Sequence, residues 1–279
     1  MVLEATLKHV KDFHHWKRLR NGFYDVGIFA NVLPNHLGDG YIGACRSGNA
    51  TLTDRIDIVH YDSDLNLVHR ESAVKGEDPR CFMFNGSPYA LTWDPHIDAS
   101  GGVVLTYKII DLTNNVTATL SIEGAPPAPL SVLGKNWMPL EKDGELYLVV
   151  ALDPQVYVLR CVSMPSGRCE WLPGLKPLGN VGVTISRGGT PLVYSEQFDC
   201  YVGLGHRSYS AYTHSAFLYT ISKEFDSVTI GADIPTGKID VQDPQSIFVE
   251  NEKLYCCIGN WHRHAHGDVG LYEILLKEG

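Results

Sequence analysis

An all-β fold, and more specifically a five-bladed β-propeller, is predicted by three features of the sequence. A phrase consisting of a polar turn, a tyrosine and an apolar strand occurs five times, at Tyr41, Tyr89, Tyr147, Tyr201 and Tyr255. These tyrosines lie 48, 58, 54 and 54 residues apart, a period typical of a blade of about four strands. Five such periods nearly use up the 279 residues of the chain.

Each repeat is interpreted as a hairpin in which an apolar strand, the polar turn and a second, tyrosine-containing strand follow one another. In the second repeat the two strands are 81–84 and 89–93, and in the fifth they are 246–249 and 254–258. Short segments rich in β-branched and aromatic residues, bounded by Gly, Asn, Asp and Pro, are typical of such hairpins. We therefore expect a single propeller domain over residues 1–279, in which residues 1–20 form an N-terminal extension or closure segment.

The net charge limits the classes of binding partner that we expect, and the cysteine usage indicates the cellular compartment. The net charge of −9 argues against nucleic acid or an anionic membrane as a partner, because both require a basic surface. The longest apolar runs, such as 146–152, are too short to span a bilayer. Residues 1–20 carry no apolar stretch of signal-peptide length. Seven cysteines without a CxxC pair predict buried or free thiols in a reducing compartment, and hence a cytoplasmic location.

Propeller geometry predicts which distant residues meet. The start of the first strand and the end of the second strand of every blade surround the same mouth of the axial channel, and polar residues are concentrated at these places. The candidates at first-strand starts are Asn31, Glu77, Asp78, Arg80, Lys135, Asn136, Arg187, Thr190 and Asp243, and those at second-strand ends are Arg46, Asp94, His206, Arg207 and His262.

Asp78 is the strongest candidate for chemistry. A carboxylate flanked by Glu77 and Arg80 is held in place by the arginine, and a neighbouring carboxylate raises its pKa, as a general acid requires. The structural alternative is that Asp78 caps a turn before Pro79.

The stretch Glu77-Asp78-Pro79-Arg80, followed by an aromatic strand and a Gly-x-x-Tyr turn, resembles the hallmark of the β-mannoside phosphorylases. Their hydrolase relatives and the related β-1,2-mannosyltransferases share a five-bladed propeller. Lys135-Asn136, Gly188 to Pro191 and Gly205-His206 agree with that family in order and approximate spacing. The resemblance implies that Asp78 is a general acid whose proton passes through a sugar hydroxyl to the glycosidic oxygen. It also implies that Lys135 and His206 belong to a cationic cluster that holds phosphate.

The sequence departs from that family where further phosphate-binding arginines are expected, because no arginine occurs between Arg80 and Arg160. Arg187 and Arg207 are the candidates to replace them. Without such a replacement, water or a sugar acceptor remains open as the second substrate. Inverting hydrolysis requires a second carboxylate to activate water, for which Asp243 is best placed and Asp94 and Glu196 are alternatives.

Several other side chains have two readings. Lys135 could pair with Glu141 at the surface, His206 could be a structural histidine, and Trp93 and Trp137 could stack on a sugar or lie in the blade core. The histidines of 261–268 suggest a metal, but no cysteine or carboxylate spacing completes a known site, so no metal is predicted. Six further places with histidine show no interpretable arrangement: His9, His14-His15, His36, His60, His69 and His214.

The sequence therefore predicts a five-bladed β-propeller with an axial active-site pocket that catalyses inverting glycosyl transfer on a mannose-type glycoside, as a glycosyltransferase or a glycoside phosphorylase. Asp78 and Asp243 are the catalytic candidates. We expect no cofactor. The expected substrates are a small carbohydrate and, beside it, inorganic phosphate, a sugar phosphate or a nucleotide sugar. An oligomer is possible. The alternatives are a propeller glycoside hydrolase and a non-catalytic carbohydrate-binding propeller. An arabinan- or xylan-cleaving hydrolase would need an acid near Asp25 or Asp39 to reach the pocket.

Overall fold

The structure is a computed structural model, and it describes most of the chain. The described residues are 3–19, 24–48, 54–97, 99, 101, 103–126, 135–152, 156–163, 167–172, 186–210, 213–235, 241–262 and 266–279. At positions 103, 163, 186, 210, 241 and 262 the description covers the backbone alone.

Twenty-two strands and no helices make up the described part of the chain, and they are arranged as a five-bladed β-propeller. The predicted fold class is confirmed. All five repeat tyrosines lie on the second strand of their blades. There they pack between neighbouring blades; for example, the ring of Tyr147 in the third blade lies 5.4 Å from that of Phe225 in the fourth.

The first three blades are antiparallel sheets that run outward from the axis in chain order. Blade 1 consists of β2 (Ile28–Pro34), β3 (Tyr41–Ser47), β4 (Arg55–Tyr61) and β5 (Leu67–Lys75). Blade 2 consists of β6 (Glu77–Phe84), β7 (Ser87–Ile97), β8 (Val103–Asp111) and β9 (Val116–Thr119). Blade 3 consists of β11 (Met138–Lys142), β12 (Glu145–Ala151), β13 (Tyr157–Ser163) and β14 (Arg168–Trp171), with β10 (Ser121–Glu123) parallel to its outer edge.

The last two blades are joined by a single parallel bridge between His214 and Val241. Blade 4 consists of β15 (Ser186–Arg187) and β16 (Val193–Ser195), which pair with β17 (Cys200–Ser210), followed by β18 (Thr213–Ser222) and β19 (Val228–Ile234). Blade 5 consists of β20 (Val241–Glu250), β21 (Lys253–His262) and β22 (His266–Glu278). Its outermost strand is β1 (Leu3–Lys17), which pairs with β22 and so joins the two ends of the chain in one blade.

The core lies between the blades, where the inner strands are covered on both faces and so lack a polar alternation. All seven residues of β2 are buried, for example. Between blades 2 and 3 the rings of Tyr107 and Trp137 are stacked at 3.5 Å, and Trp137 is only 3% exposed. Of the two readings of Trp137, the structure supports blade core.

The cysteines differ in part from the sequence expectation. Cys45, Cys81, Cys200, Cys256 and Cys257 are buried free thiols, as expected. Cys161 and Cys169, however, lie opposite each other on β13 and β14 and form a disulfide, so the expectation of free thiols is wrong for this pair. The pairing depends on strand register, which the spacing of the two cysteines does not specify.

Candidate functional site

Two blades carry the same irregularity where their first strands leave the mouth. In blade 1, Ile28 pairs with Arg46 and Asn31 with Ala44, so two residues bulge out opposite one. In blade 2, Glu77 pairs with Trp93 and Arg80 with Leu91, so again two residues of the first strand lie opposite one residue of the second. Such bulges re-aim side chains and occur often beside functional sites.

The first residue of each bulge has left-handed backbone, which non-glycine residues rarely adopt. Phe29 in blade 1 has φ 54° and Asp78 in blade 2 has φ 46°, and Asn136, just before the first strand of blade 3, has φ 72°. Such conformations cost of order 1–3 kcal/mol each and are found preferentially at ligand sites. Three neighbouring blades therefore turn one strained residue each toward the mouth.

These residues line an axial pocket of about 180 Å³ to which all five blades contribute. Its lining consists of Phe29, Arg46, Asp78, Lys135, Asn136, Arg187, His206, His214, Asp243 and Trp261. The structure thus brings together seven of the residues selected from the sequence, which span 198 positions of the chain from Arg46 to Asp243.

A larger groove of about 500 Å³ lies at the other ends of the inner strands, near Pro34, Pro139 and Pro191. Its lysines are engaged locally: Lys142 Nζ, for instance, donates to the Lys223 carbonyl at 2.6 Å. Volume alone would not select the axial pocket, because this groove and another of about 630 Å³ beside Val193 and Leu254 are both larger. The smaller axial pocket is the better candidate because the strained residues and buried ionisable groups converge there.

Both carboxylate oxygens of Asp78 are engaged by cations from neighbouring blades. Arg46 Nη1 donates to Oδ1 at 2.6 Å, and Lys135 Nζ donates to Oδ2 at 2.5 Å. Arg46 also pairs with the buried Asp54 and, at 3.3 Å, with Glu77. Asp78 is therefore the centre of a buried network of alternating charges.

The charge of Asp78 is set by competition between burial and these cations. Burial alone would raise the pKa of the carboxyl, but attraction to Lys135, Arg46 and Arg80 outweighs it and holds the pKa well below its usual range. The expectation that Glu77 leaves Asp78 with a raised pKa is wrong in direction. It is Glu77 itself whose pKa is raised, chiefly by burial.

Arg80 lies beneath the pocket and joins three blades. It is 2% exposed. Its guanidinium donates to the Pro244 carbonyl at 3.1 Å and to Asn136 Oδ1 at 2.9 Å, and it pairs with Asp243 at 3.4 Å. Arg80 therefore holds two pocket-lining side chains in place from below.

Blade 4 supplies two stacked imidazoles, His206 and His214, whose ring centroids are 5.1 Å apart. His206 Nδ1 lies 3.9 Å from Asp243 Oδ1 and, among the described residues, has no hydrogen-bond partner. Burial lowers the pKa of His206 to about 4. At neutral pH this histidine is therefore uncharged and suits a hydroxyl better than a phosphate.

This shift makes stability depend on pH. The unfolded state binds a proton at His206 below about pH 6.5, whereas the folded state does so only below about pH 4, so the free energy of unfolding falls as pH drops through this window. We expect His206→Gln to reduce the slope of that free energy by about 1.4 kcal/mol per pH unit between these limits, measured by urea unfolding. His14, whose pKa burial also lowers to about 4 and which does not line the pocket, is the matched control: His14→Gln should reduce the slope equally. An unchanged slope in both variants would contradict the buried, neutral state of these imidazoles.

Arg187 reaches the same pocket in a different electrostatic state from Arg46. Within the described part of the chain, no carboxylate lies within ion-pair distance of its guanidinium, whereas Arg46 is shared by three carboxylates. Arg187 therefore retains its capacity for an incoming anion.

Two of the predicted binding residues have structural contacts instead. Asn31 is fully buried, and its side-chain amide donates to the Phe29 carbonyl at 2.7 Å. Thr190 Oγ1 donates to the Pro191 carbonyl at 2.7 Å and accepts from the Leu204 amide at 2.9 Å. Neither side chain lines the pocket; both fix the first strands of their blades.

Two charged candidates point elsewhere. Asp94 pairs with Lys108 at 2.8 Å and Lys75 at 3.5 Å. Arg207 pairs with Asp233 and lies 4.4 Å from the centre of the Phe217 ring. Successive side chains of a strand face opposite ways, so β17 turns His206 into the pocket and Arg207 away from it. The side chain of the remaining candidate, His262, lies outside the described residues.

The sequence reasoning missed His214, Phe29 and Trp261 as pocket residues. His214 lies on β18, the strand that follows the second strand of blade 4. The prediction from the sequence covered only the first-strand starts and the second-strand ends. Phe29 lies two residues before Asn31 at the start of a first strand, and its equivalence to Asp78 becomes visible only when the two bulges are aligned. Trp261 precedes His262, and strand alternation could have suggested it.

Neither a metal-binding cluster nor a membrane-spanning helix is present among the described residues. No three His, Cys, Asp or Glu side chains there are grouped so as to hold a metal ion. No helix long and apolar enough to cross a membrane is found there either.

Comparison with known proteins identifies the fold. No protein-family profile and no curated protein matches the sequence. Solved structures do match: β-1,2-mannobiose phosphorylase from Listeria innocua has a TM-score of 0.63 at 12% identity, with 96% of each chain covered. MPT-1, a GDP-Man-dependent mannosyltransferase from Leishmania mexicana, has a TM-score of 0.57 at 12% identity, covering 96% of this chain and 88% of its own.

An endo-arabinase from Bacteroides thetaiotaomicron has a TM-score of 0.61 at 12% identity, covering 91% of this chain and 95% of its own. At this identity the likeness shows a shared propeller fold. Proteins with three different named activities have this fold, so the chemistry of the present chain has to be argued from its pocket.

Proposed function

We propose that this propeller is an enzyme that transfers a mannose-type glycosyl group with inversion, and that one of its two substrates carries a phosphate. The observation that supports this most strongly is the pocket itself: a carboxylate on a strained bulge, Asp78, shares about 180 Å³ with Arg187, a cation that has no carboxylate partner among the described residues. The phosphorylase and the mannosyltransferase with similar folds add weight to this choice of chemistry.

Asp78 is proposed to be the general acid. In the free protein its two carboxylate oxygens are paired with Arg46 and Lys135. Asp78 can therefore be protonated only when its contacts with these cations weaken. Lys135 can leave most easily, because its side chain is 32% exposed and already lies 5.2 Å from the centre of the Trp93 ring. An anion entering the pocket would attract Lys135 and thereby raise the pKa of Asp78.

In the proposed phosphorylase reaction, one bond to the anomeric carbon breaks and another forms. The bond from the anomeric carbon to the glycosidic oxygen breaks, and a bond from the anomeric carbon to a phosphate oxygen forms on the opposite face. The proton of Asp78 passes through a sugar hydroxyl to the departing oxygen. A transferase would run the corresponding displacement with a sugar hydroxyl as the nucleophile and the phosphate-bearing group as the leaving group.

Hydrolysis is disfavoured by the state of the second carboxylate. Asp243 lines the pocket, but its Oδ1 pairs with Arg80 Nη2 at 3.4 Å, so this oxygen is already engaged by a cation and is less available to activate water. The arabinan-cleaving arrangement is disfavoured too, because neither Asp25 nor Asp39 lines the pocket. Asp25 Oδ1 instead accepts from the Lys17 and Val26 amides at 2.9 Å.

The first test is product formation from a panel of mannosides, mannose 1-phosphate and nucleotide-activated mannose, with and without inorganic phosphate. We expect turnover that needs a phosphate-bearing substrate, and we expect Arg187→Gln to raise the KM for that substrate about tenfold or more, as loss of a charge-assisted hydrogen bond implies. Arg168→Gln, at an arginine that is 57% exposed in blade 3, is the control and should change nothing. Phosphate-independent release of free sugar would contradict the proposal in favour of a hydrolase. Sugar binding without any turnover would contradict it in favour of a binding module.

A further inference from the structure

We propose that Phe29 and Trp261 form a stacking platform for a pyranose ring of the substrate, and that Trp16 of the N-terminal strand positions this platform. The inference deepens the proposed function and rests on it for the choice of ligand. It assigns binding roles to Phe29 and Trp261 and a positioning role to Trp16, and these residues lie in blades 1 and 5, apart from the charged groups around Asp78.

Phe29 occupies in blade 1 the bulge position that Asp78 occupies in blade 2. Each follows a residue paired with the second strand, and each is followed by one more unpaired residue before the ladder resumes. A bulky aromatic residue at φ 54° is a genuine conformational outlier. Burial in the core would not require it, because an ordinary strand already buries its side chains. The bulge instead directs the ring to the pocket, which Phe29 lines.

Trp261 and Trp16 continue the aromatic surface. The ring of Trp261 lies 5.1 Å from that of Phe29, at an interplanar angle of 49°. Trp16, 4% exposed, packs edge-on against Trp261 at 4.9 Å. Its indole lies against Gly267, where a Cβ atom would come within 2.6 Å of the ring. The platform is therefore supported from behind by the strand that closes the propeller.

The pocket consequently has an aromatic part and a charged part. The charged part, with Arg46, Lys135 and Arg187, suits hydroxyls and phosphate. An inorganic anion has no apolar surface that could pack against aromatic rings, whereas a pyranose has an apolar C–H face beside its hydroxyl rim. Rigid aromatic side chains provide such contact area at low entropic cost. The combination points to a sugar ring bound by its edge to the ions and by its face to the platform.

The test is ligand binding in the Asp78→Asn background, where turnover is slow, with β-1,2-mannobiose and inorganic phosphate as separate probes in calorimetry. We expect Trp261→Ala and Phe29→Ala to weaken mannobiose binding about tenfold or more and to leave phosphate binding unchanged. Trp16→Ala should have the same selective effect, whereas Trp16→Phe should restore part of the affinity. Trp171→Ala, at a half-buried tryptophan on the outer strand of blade 3, is the matched control and should leave both affinities unchanged.

Unchanged mannobiose affinity in Trp261→Ala and Phe29→Ala would overturn the inference. So would equal loss of mannobiose and phosphate affinity, which would indicate collapse of the pocket rather than loss of a platform. A selective loss of affinity for guanosine monophosphate, with mannobiose binding intact, would assign the platform to a nucleobase and equally overturn it. If the wild-type protein turns over no substrate but the selective loss of mannobiose binding is observed, the platform is supported while the proposed enzymatic function fails.

Discussion

Replacement of Asp78 by asparagine is expected to lower kcat by about 10²–10⁴-fold, the contribution typical of a positioned general acid. The change keeps the size of the side chain and removes the carboxyl that is proposed to carry the proton. It also leaves Arg46 without one of its three carboxylate partners. Turnover would be measured on whichever substrate pair the panel identifies, with thermal unfolding to verify that the fold persists.

The matched control for Asp78→Asn lies in the same blade. Asp94 is also buried and is also held by two cations, Lys108 and Lys75, but it does not line the pocket. We expect Asp94→Asn to affect stability and to leave kcat within about threefold of the wild-type value. Equal losses of kcat in the two variants, or a kcat for Asp78→Asn near that of the wild type, would refute the general-acid role.

The second large effect is expected at Arg80, on stability. Arg80→Met should lower the free energy of unfolding by about 3–5 kcal/mol, the cost of breaking a buried ion pair by removing one partner. The variant leaves Asp243 without its cation and leaves Asn136 Oδ1 and the Pro244 carbonyl without a donor. Because these groups belong to blades 2, 3 and 5, the loss should appear in the global unfolding transition followed in urea.

Arg160→Met provides the comparison for Arg80→Met. Arg160 pairs with Glu145 in blade 3, but both side chains are more than a third exposed. Such surface pairs contribute about 0–1 kcal/mol, so this variant should unfold nearly as the wild type does. If Arg80→Met were equally stable, the guanidinium would not be the tie between blades that its contacts indicate.

The fold was predictable because its signal is local and repeated. Each blade contains a hairpin whose strand composition, turn and tyrosine are encoded within about 25 residues, and the period of about 50 residues implies the blade count. Closure of blade 5 by β1 was less accessible. The N-terminal segment carries no copy of the repeat, and its pairing with β22 joins residues more than 240 positions apart.

The candidate site was predictable in position and only partly in orientation. Strand starts and ends indicated where Asp78, Lys135 and Arg187 would gather, because a propeller brings these places to one mouth. The same reasoning could not separate His206 from Arg207, since adjacent side chains face opposite ways and the strand register decides which one faces the pocket. It could not show that Phe29 and Asp78 are equivalent either, because a bulge shifts a strand by one residue without a clear mark in the sequence.

The sequence by itself determined the repeat, the number of blades and the ring of polar positions at the mouth, all of which follow from residue types at a fixed period. Only the tertiary structure decided the chemical state of the site. The charge on Asp78 depends on Arg46 and Lys135, which lie 32 and 57 residues away in the chain and within hydrogen-bonding distance in space. Coulombic attraction depends on that spatial distance, so the adjacent Glu77 was a poor guide to the pKa of Asp78 and the two distant cations determine it.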